Sequence, residues 1–338
     1  MYLSQSNGPA LYYYKTITET IEHVRKSGFT HVDISFFSRF QKGSIYFSDE
    51  YMKVVDEYRE ALKKYGVVPV QSHEPTGNSL GDDGGEYYMK KTPRAIEMAA
   101  KIGCPSITIH PGHPFPDSEF GKSKEAYVAG NVAAIKKLIP YAEEYGIELL
   151  LENIGYKGVA PFNTIFATTA EDLIDIVDEV NHPLVAVNWD IGHANFNGLD
   201  EYAEMTKLGK RLHGVHVHDN IGFKMFDDEY GRHYEGDMHT FPLFYNVDFD
   251  GVIKALIDTG YKGTLNFEVD APKFVRRYTE DREELQKQAQ QVRLDSEKLL
   301  YSIGKLLLEK YGIFEGSNKK RRKPLFSTVP HSSLLTPN

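Results

Sequence analysis

Residues 247–269 read VDFDGVIKALIDTGYKGTLNFEV. The stretch divides into a helix over 249–259, a stop at Gly260 and a short apolar strand over 264–269. The same unit recurs upstream. Strands are predicted at 2–6, 31–36, 67–72, 106–110, 147–152, 184–190 and 213–218, with Pro69 the weak point of the third. Helices are predicted near 15–27, 49–65, 87–102, 124–145, 170–180 and 200–209, and a last long one covers about 280–311. Glycines 28, 66, 103, 146 and 260 stand at helix ends. Eight strands, each followed by a helix, must pair in parallel through right-handed crossovers. Their near-continuous apolar runs suit a sheet covered on both faces. A single α/β domain of the (β/α)8 TIM-barrel kind over 1–312 follows. The competing open doubly wound sheet lacks a Gly-rich phosphate turn after its first strand.

The 338 residues are 41% hydrophobic and 26% charged, which excludes disorder for the bulk of the chain. A net charge of −9 argues against a phosphate-backbone binder, so nucleic acid is an unexpected partner. The single cysteine, Cys104, permits no internal disulfide and fits a reducing, cytoplasmic setting. No signal-peptide pattern opens the chain, and no apolar run is long enough for a membrane. Residues 313–338 differ from the rest, with a basic run at Lys319–Lys323 followed by Pro, Ser and Thr. They are expected to form a weakly ordered or partner-docked tail.

The informative residues stand at the strand ends. Strand three runs into His73, strand four into His110, strand five into Glu152 and strand six into Asp190, with His193 three residues on. Strand seven carries His216 and His218, alternating with Val215 and Val217, and period two turns both histidines to one face. Two histidines facing helices would be odd, so that face is read as the lumen. Glu268 shares a face with Asn266 on strand eight, and Asp237 and His239 lie in the loop after strand seven. A barrel gathers all of these at its C-terminal mouth, where such folds build their active sites. Carboxylates crowded there repel one another unless a cation neutralises them. Oxygen and imidazole donors without thiolates suit Mn²⁺, Zn²⁺, Co²⁺ or Mg²⁺.

The ordered segments HPG (110–112), LLEN (150–153), DIGHA (190–194), HVHD (216–219), DMH (237–239) and FEV (267–269) resemble the xylose isomerase-like TIM-barrel superfamily. That superfamily includes sugar-phosphate isomerase/epimerases, tagatose/psicose 3-epimerases and, more distantly, endonuclease IV. The 247–269 stretch is typical of the isomerase/epimerase branch. The resemblance implies a metal-dependent enzyme that isomerises or epimerises a sugar by removing a proton next to a carbonyl. It implies that Glu152, Asp190, His216 and Glu268 bind one divalent metal, for which three carboxylates and one imidazole favour Mn²⁺, with Glu152 and Glu268 as the catalytic acid and base. His193 matches a substrate-contacting histidine, and His218 is expected to hold a neighbouring hydroxyl. His73, His110, Asp237 and His239 are expected against the substrate or around a second or third ion. The nine ligands of the endonuclease IV pattern also have counterparts here: His73, His110, Glu152, Asp190, His193, His216, Asp237, His239 and Glu268. This leaves a metal-dependent phosphodiesterase as one alternative.

Another alternative is a C-glycoside deglycosidase-type lyase subunit acting on 3-oxo-glycosides with a small partner subunit; a homo-oligomer is also open. One departure is clear: the epimerases carry an arginine six residues after the metal histidine, and that position here is Gly222. The aromatic run ALYYY (10–14) fits either a bulky aromatic substrate or a cluster at the start of a helix.

Overall fold

The computed structural model describes residues 1–81, 83, 85–113, 123–155, 166–228, 231–270, 272, 275, 279 and 282–316. The expected tail from residue 317 onward, with its basic run, lies outside them. Residues 313–316 pack back on the barrel: Phe314 joins the core, and Glu315 N donates to the Met1 carbonyl over 2.8 Å.

Eight parallel strands close a barrel. They are β1 (Leu3–Ser6), β2 (His31–Ser35), β3 (Val68–His73), β4 (Ser106–Ile109), β5 (Glu148–Glu152), β6 (Val185–Asp190), β7 (Leu212–Val217) and, after an inserted hairpin, β10 (Leu265–Phe267). Around the barrel the order is β1-β10-β7-β6-β5-β4-β3-β2. Pro69 does lie in β3. It has no N–H to donate, and the β2–β3 register shifts between Val32, its partner, and Asp33.

The helices are α1 (Ile17–Lys26), α2 (Met52–Tyr65), α3 (Glu86–Ile102), α4 (Lys124–Tyr145), α5 (Ala170–Val180), α6 (Ile191–Phe196), α7 (Glu201–Leu208), α8 (Phe249–Asp258) and α9 (Glu283–Lys310). Their starts are chemically marked. Thr16 and Glu19 form a capping box at α1, and Asp248 caps α8 by accepting from Gly251 N over 3.0 Å. Gly146 closes α4 at φ 63°, a conformation that costs a side chain steric strain. The apolar faces of the helices and the outer faces of the strands make one continuous core.

Two elements differ from the sequence reading. The segment after β7, expected as a loop, contains an antiparallel hairpin of β8 (Lys224–Asp228) and β9 (Gly231–Glu235). The turn after β6 is the short helix α6, started by the Asp190 side chain, which accepts from His193 N over 2.8 Å. Among the described residues, no helix is long and apolar enough to cross a membrane.

Candidate metal centre

The predicted strand-end residues converge at one end of the barrel in three linked groups. The first is His73, His110 and Glu152, from the ends of β3, β4 and β5. The second is Glu152, Asp190 and His216, and the third is His193, His218, Asp237 and His239. Within each group the potential ligand atoms lie within 4.8 Å of one another.

The second group is the most deeply buried. His216 Nδ1 stands 2.5 Å from Glu152 Oε1, 3.4 Å from Glu268 Oε2 and 4.0 Å from Asp190 Oδ2. Three carboxylates thus surround one imidazole nitrogen, supplied by four strands that are adjacent in the barrel order, β5, β6, β7 and β10. Glu152 also reaches the first group: its Oε2 is 3.0 Å from His110 Nε2 and 3.8 Å from His73 Nε2. Asp190 reaches the third, with Oδ1 3.1 Å from His218 Nε2. Around Asp237 stand His239 Nε2 at 3.4 Å from Oδ1, and His193 Nε2 at 3.7 Å from Oδ2.

The outer histidines are oriented as ligands. His73, His193 and His239 each turn Nδ1 to a backbone carbonyl, of Glu74, Asn153 and Glu268, at 2.9, 2.8 and 3.0 Å. A carbonyl only accepts, so Nδ1 carries a proton, and Nε2 is the nitrogen turned to the carboxylates and left to bind a metal that displaces its proton. This is the arrangement that fixes a metal-binding tautomer. His110 Nδ1 has the Glu74 carboxylate 3.4 Å away in the same role. At His216 the other nitrogen, Nε2, is flanked by Gln71 at 2.8 Å and Asp33 at 3.6 Å.

At His216, His110 and Asp190 burial disfavours the charged form, and the opposite charges beside them more than offset it. His216 is raised well above the usual imidazole range by Glu152 and Glu268, and His110 rises to about 10 through its hydrogen bonds to Glu152 and Glu74. Asp190 falls to about 2 beside His193 and His218. Asp190 Oδ2, Asp237 Oδ1 and His218 Nδ1 are buried yet make no hydrogen bond among the described residues. Buried polar atoms left this way are costly, and a shared cation would satisfy them together. The residues therefore fit divalent ions.

The sequence profile of the xylose isomerase-like TIM barrel family matches residues 21–295. The chain belongs to that family. It is 26% identical over 256 residues to the MJ1311 protein of Methanocaldococcus jannaschii, covering 75% of this chain and 79% of that one. It is 25% identical over 143 residues to the ketose 3-epimerase of Arthrobacter globiformis, 42% of each chain. Among solved structures it is similar in fold to the IOLI protein with a binding zinc atom. The TM-score there is 0.65 and the identity 17%, over 92% of this chain and 99% of that one.

In this xylose isomerase-like barrel a cavity of about 470 Å³ opens above the three groups. Its wall includes Glu152, Glu268, His73, His110, His193, Asp237 and His239 from the predicted set, whereas Asp190, His216 and His218 lie beneath it. His218 is fully buried, stacked on His239 with ring centroids 3.9 Å apart. The aromatic run separates: Tyr12 lines the cavity, and Tyr14 precedes α1 with its hydroxyl 2.6 Å from His23 Nδ1.

Three buried residues were missed by the sequence reading. Glu74 accepts from His110 N over 2.7 Å and from the Tyr88 hydroxyl over 2.8 Å. Gln71 and Asp33 crowd the inner face of His216. Asp33 had a signal, a carboxylate between Val32 and Ile34 in mid-strand; Gln71 had none.

Proposed function

We propose that this barrel is a divalent-metal-dependent enzyme that moves a proton at a carbon next to a carbonyl of a sugar or sugar derivative, and so isomerises or epimerises it. The observation that carries the reading is the pair Glu152 and Glu268. Both approach the same His216 nitrogen, at 2.5 and 3.4 Å, and both also reach the cavity wall. A divalent ion held by Glu152, Asp190, His216 and Glu268 would offset the negative charge that builds on a substrate oxygen as the neighbouring carbon loses its proton. Three carboxylates and one imidazole suit Mn²⁺, whereas the histidine-rich outer group suits Zn²⁺. Glu152 and Glu268 come from β5 and from the end of β10, with β7 and β6 between them in the barrel order, so a substrate lying between them meets a carboxylate on either side. One takes the α-proton, and the other returns a proton to the opposite face or to the oxygen. His193, on the cavity wall, orients a hydroxyl. A ketose 3-epimerase among the relatives supports this class of chemistry.

The test is solvent deuterium incorporation into keto- and aldo-sugars by the metal-loaded protein. Glu152→Gln and Glu268→Gln, with metal occupancy restored, should each lose on the order of 10²–10⁴ in exchange rate. Wild-type exchange by a fully loaded variant would make that glutamate a ligand only.

The three metal-capable groups taken together favour a second reading, metal-dependent phosphodiester cleavage. Nicking of abasic-site DNA by a protein that exchanges no sugar proton would decide for it.

A further inference from the structure

The cavity has two unlike halves. From β3 round to β10, its wall is made largely of the imidazoles and carboxylates of the three groups. The loops after β1 and β2 build the other half, from Ser6, Tyr12, Ser35, Phe37, Ser38 and Arg39. Arg39 is the one lysine or arginine among the described residues of that wall. It belongs to neither the metal groups nor any ion pair: no carboxylate among the described residues lies within 4.0 Å of it. Glu152, Asp237 and Glu268 on the wall face histidines instead, so Arg39 is not spent on neutralising them.

The arginine is also held in place. Its turn is anchored by buried Phe36 and Phe40 on either side, by Phe36 N donating to His73 O over 3.0 Å and by Arg39 N donating to Phe36 O over 3.0 Å. The guanidinium carbon stands 5.3 Å from the centre of the Tyr12 ring, and the Tyr12 hydroxyl is hydrogen-bonded to Ser38 at 2.8 Å. Packing against an aromatic ring supports the guanidinium and leaves N–H groups for a planar or tetrahedral oxyanion, which Arg binds in bidentate fashion.

We propose that the substrate carries an anionic group, a phosphate or a carboxylate, on a part of the molecule remote from the reacting carbon, and that Arg39 receives it. This rests on the reading of the cavity as a sugar site and sharpens it to a sugar phosphate or a sugar acid. The serine hydroxyls beside Arg39 are suited to the intervening hydroxyls of such a substrate.

Binding of glucose 6-phosphate, glucuronate and glucose to the metal-loaded protein, measured by calorimetry for the wild type, Arg39→Gln and Arg39→Lys, tests it. The wild type should bind at least one of the two anions tenfold or more tighter than glucose. Arg39→Gln should erase that preference, and Arg39→Lys should keep part of it. Whichever anion is preferred identifies the group. Absence of a preference in the wild type overturns the proposal. So does Arg39→Gln binding the anion within twofold of the wild type, since the metal ions alone would then account for the affinity. Proton exchange is scored separately on the same three compounds. Arg39-dependent binding without exchange would end the isomerase reading and leave this one standing.

Discussion

At the scale of single residues, Gly192 shows how tightly the third group is built. A Cβ placed there would lie 1.8 Å from His218 Cε1 and about as close to both ring nitrogens, at 2.2 Å. The imidazole of His218 therefore occupies the space a side chain at 192 would take, stacked on His239 and 3.1 Å from Asp190. Real contacts never come so close, so Gly192→Ala must push His218 aside. We expect the alanine variant to fold, because the motion is confined to one ring, and to bind Zn²⁺ offered to the His193–His218–Asp237–His239 group about 10–100-fold more weakly than the wild type, the usual cost of disturbing a site's supporting geometry. Metal content after loading and dialysis against a weak chelator checks this: the variant should keep an ion bound by the inner group and release one bound by the outer group. Equal retention of both would mean that His218 contributes nothing to that group.

At the scale of elements, the last helix closes the barrel with a buried charge network. Arg293 Nε donates to Glu297 Oε1 over 2.6 Å, and Arg293 Nη2 to the carbonyl of Val269, next to Glu268, over 3.0 Å. Glu297 Oε2 also accepts from Gln5 over 2.6 Å and has His23 Nε2 2.8 Å away. Burial raises the Glu297 carboxyl, but Arg293 and His23 outweigh it and hold the group near 2. Its folded-state value is thus depressed below the ordinary 4.5. The stabilisation it confers is fully present above about pH 4.5 and is lost as pH falls toward 2. The difference in thermal midpoint between wild type and Glu297→Gln should accordingly be largest near neutrality and shrink between pH 4.5 and 2. A difference that stays constant over that range would show that charge on Glu297 does not matter. Arg293→Met, which removes the arginine partner and leaves the buried carboxylate only Gln5 and His23, should cost about 3 kcal/mol.

The barrel elements were readable because each obeys a local rule: capping residues and glycines bound the helices, and apolar runs mark the strands. The hairpin β8–β9 was not, because its sequence, KMFDDEYGRHYE over 224–235, mixes charges with aromatics and has no clean alternation. Helix α6 escaped because IGHANF is too short for a periodicity, and its start depends on an aspartate that reads first as a metal ligand. The candidate site was legible where a carboxylate or imidazole ends an apolar strand, as at Glu152 and Asp190. It was illegible at Gln71, where a neutral amide in a strand carries no such signal and only the closing of the barrel places it beside His216.

For the whole molecule, the barrel collects at one end a set of charges that the fold by itself cannot easily hold. Glu152, Asp190, His216 and His218 are all essentially without solvent, and several of their polar atoms make no hydrogen bond among the described residues. Burying such groups opposes folding, and divalent ions binding them only once the strands are assembled, as proposed above, would turn that opposition into linkage. An ion at a thousand times its dissociation constant adds about 4 kcal/mol to stability, and in a barrel of this size each kcal/mol moves the midpoint by a few degrees at most. Exhaustive chelation should therefore lower the thermal midpoint by several degrees, and adding back Mn²⁺ or Zn²⁺ should restore it in a concentration-dependent way. The loss should be smaller in Asp190→Asn, which sits in the inner group and contacts the outer one, because less ion is then there to remove. Calorimetry with elemental analysis on the same samples reads both quantities. A midpoint indifferent to chelator in a protein shown to have carried metal would mean that the mouth is stable as a network of protonated histidines and carboxylates, and that the ions serve chemistry without supporting the fold.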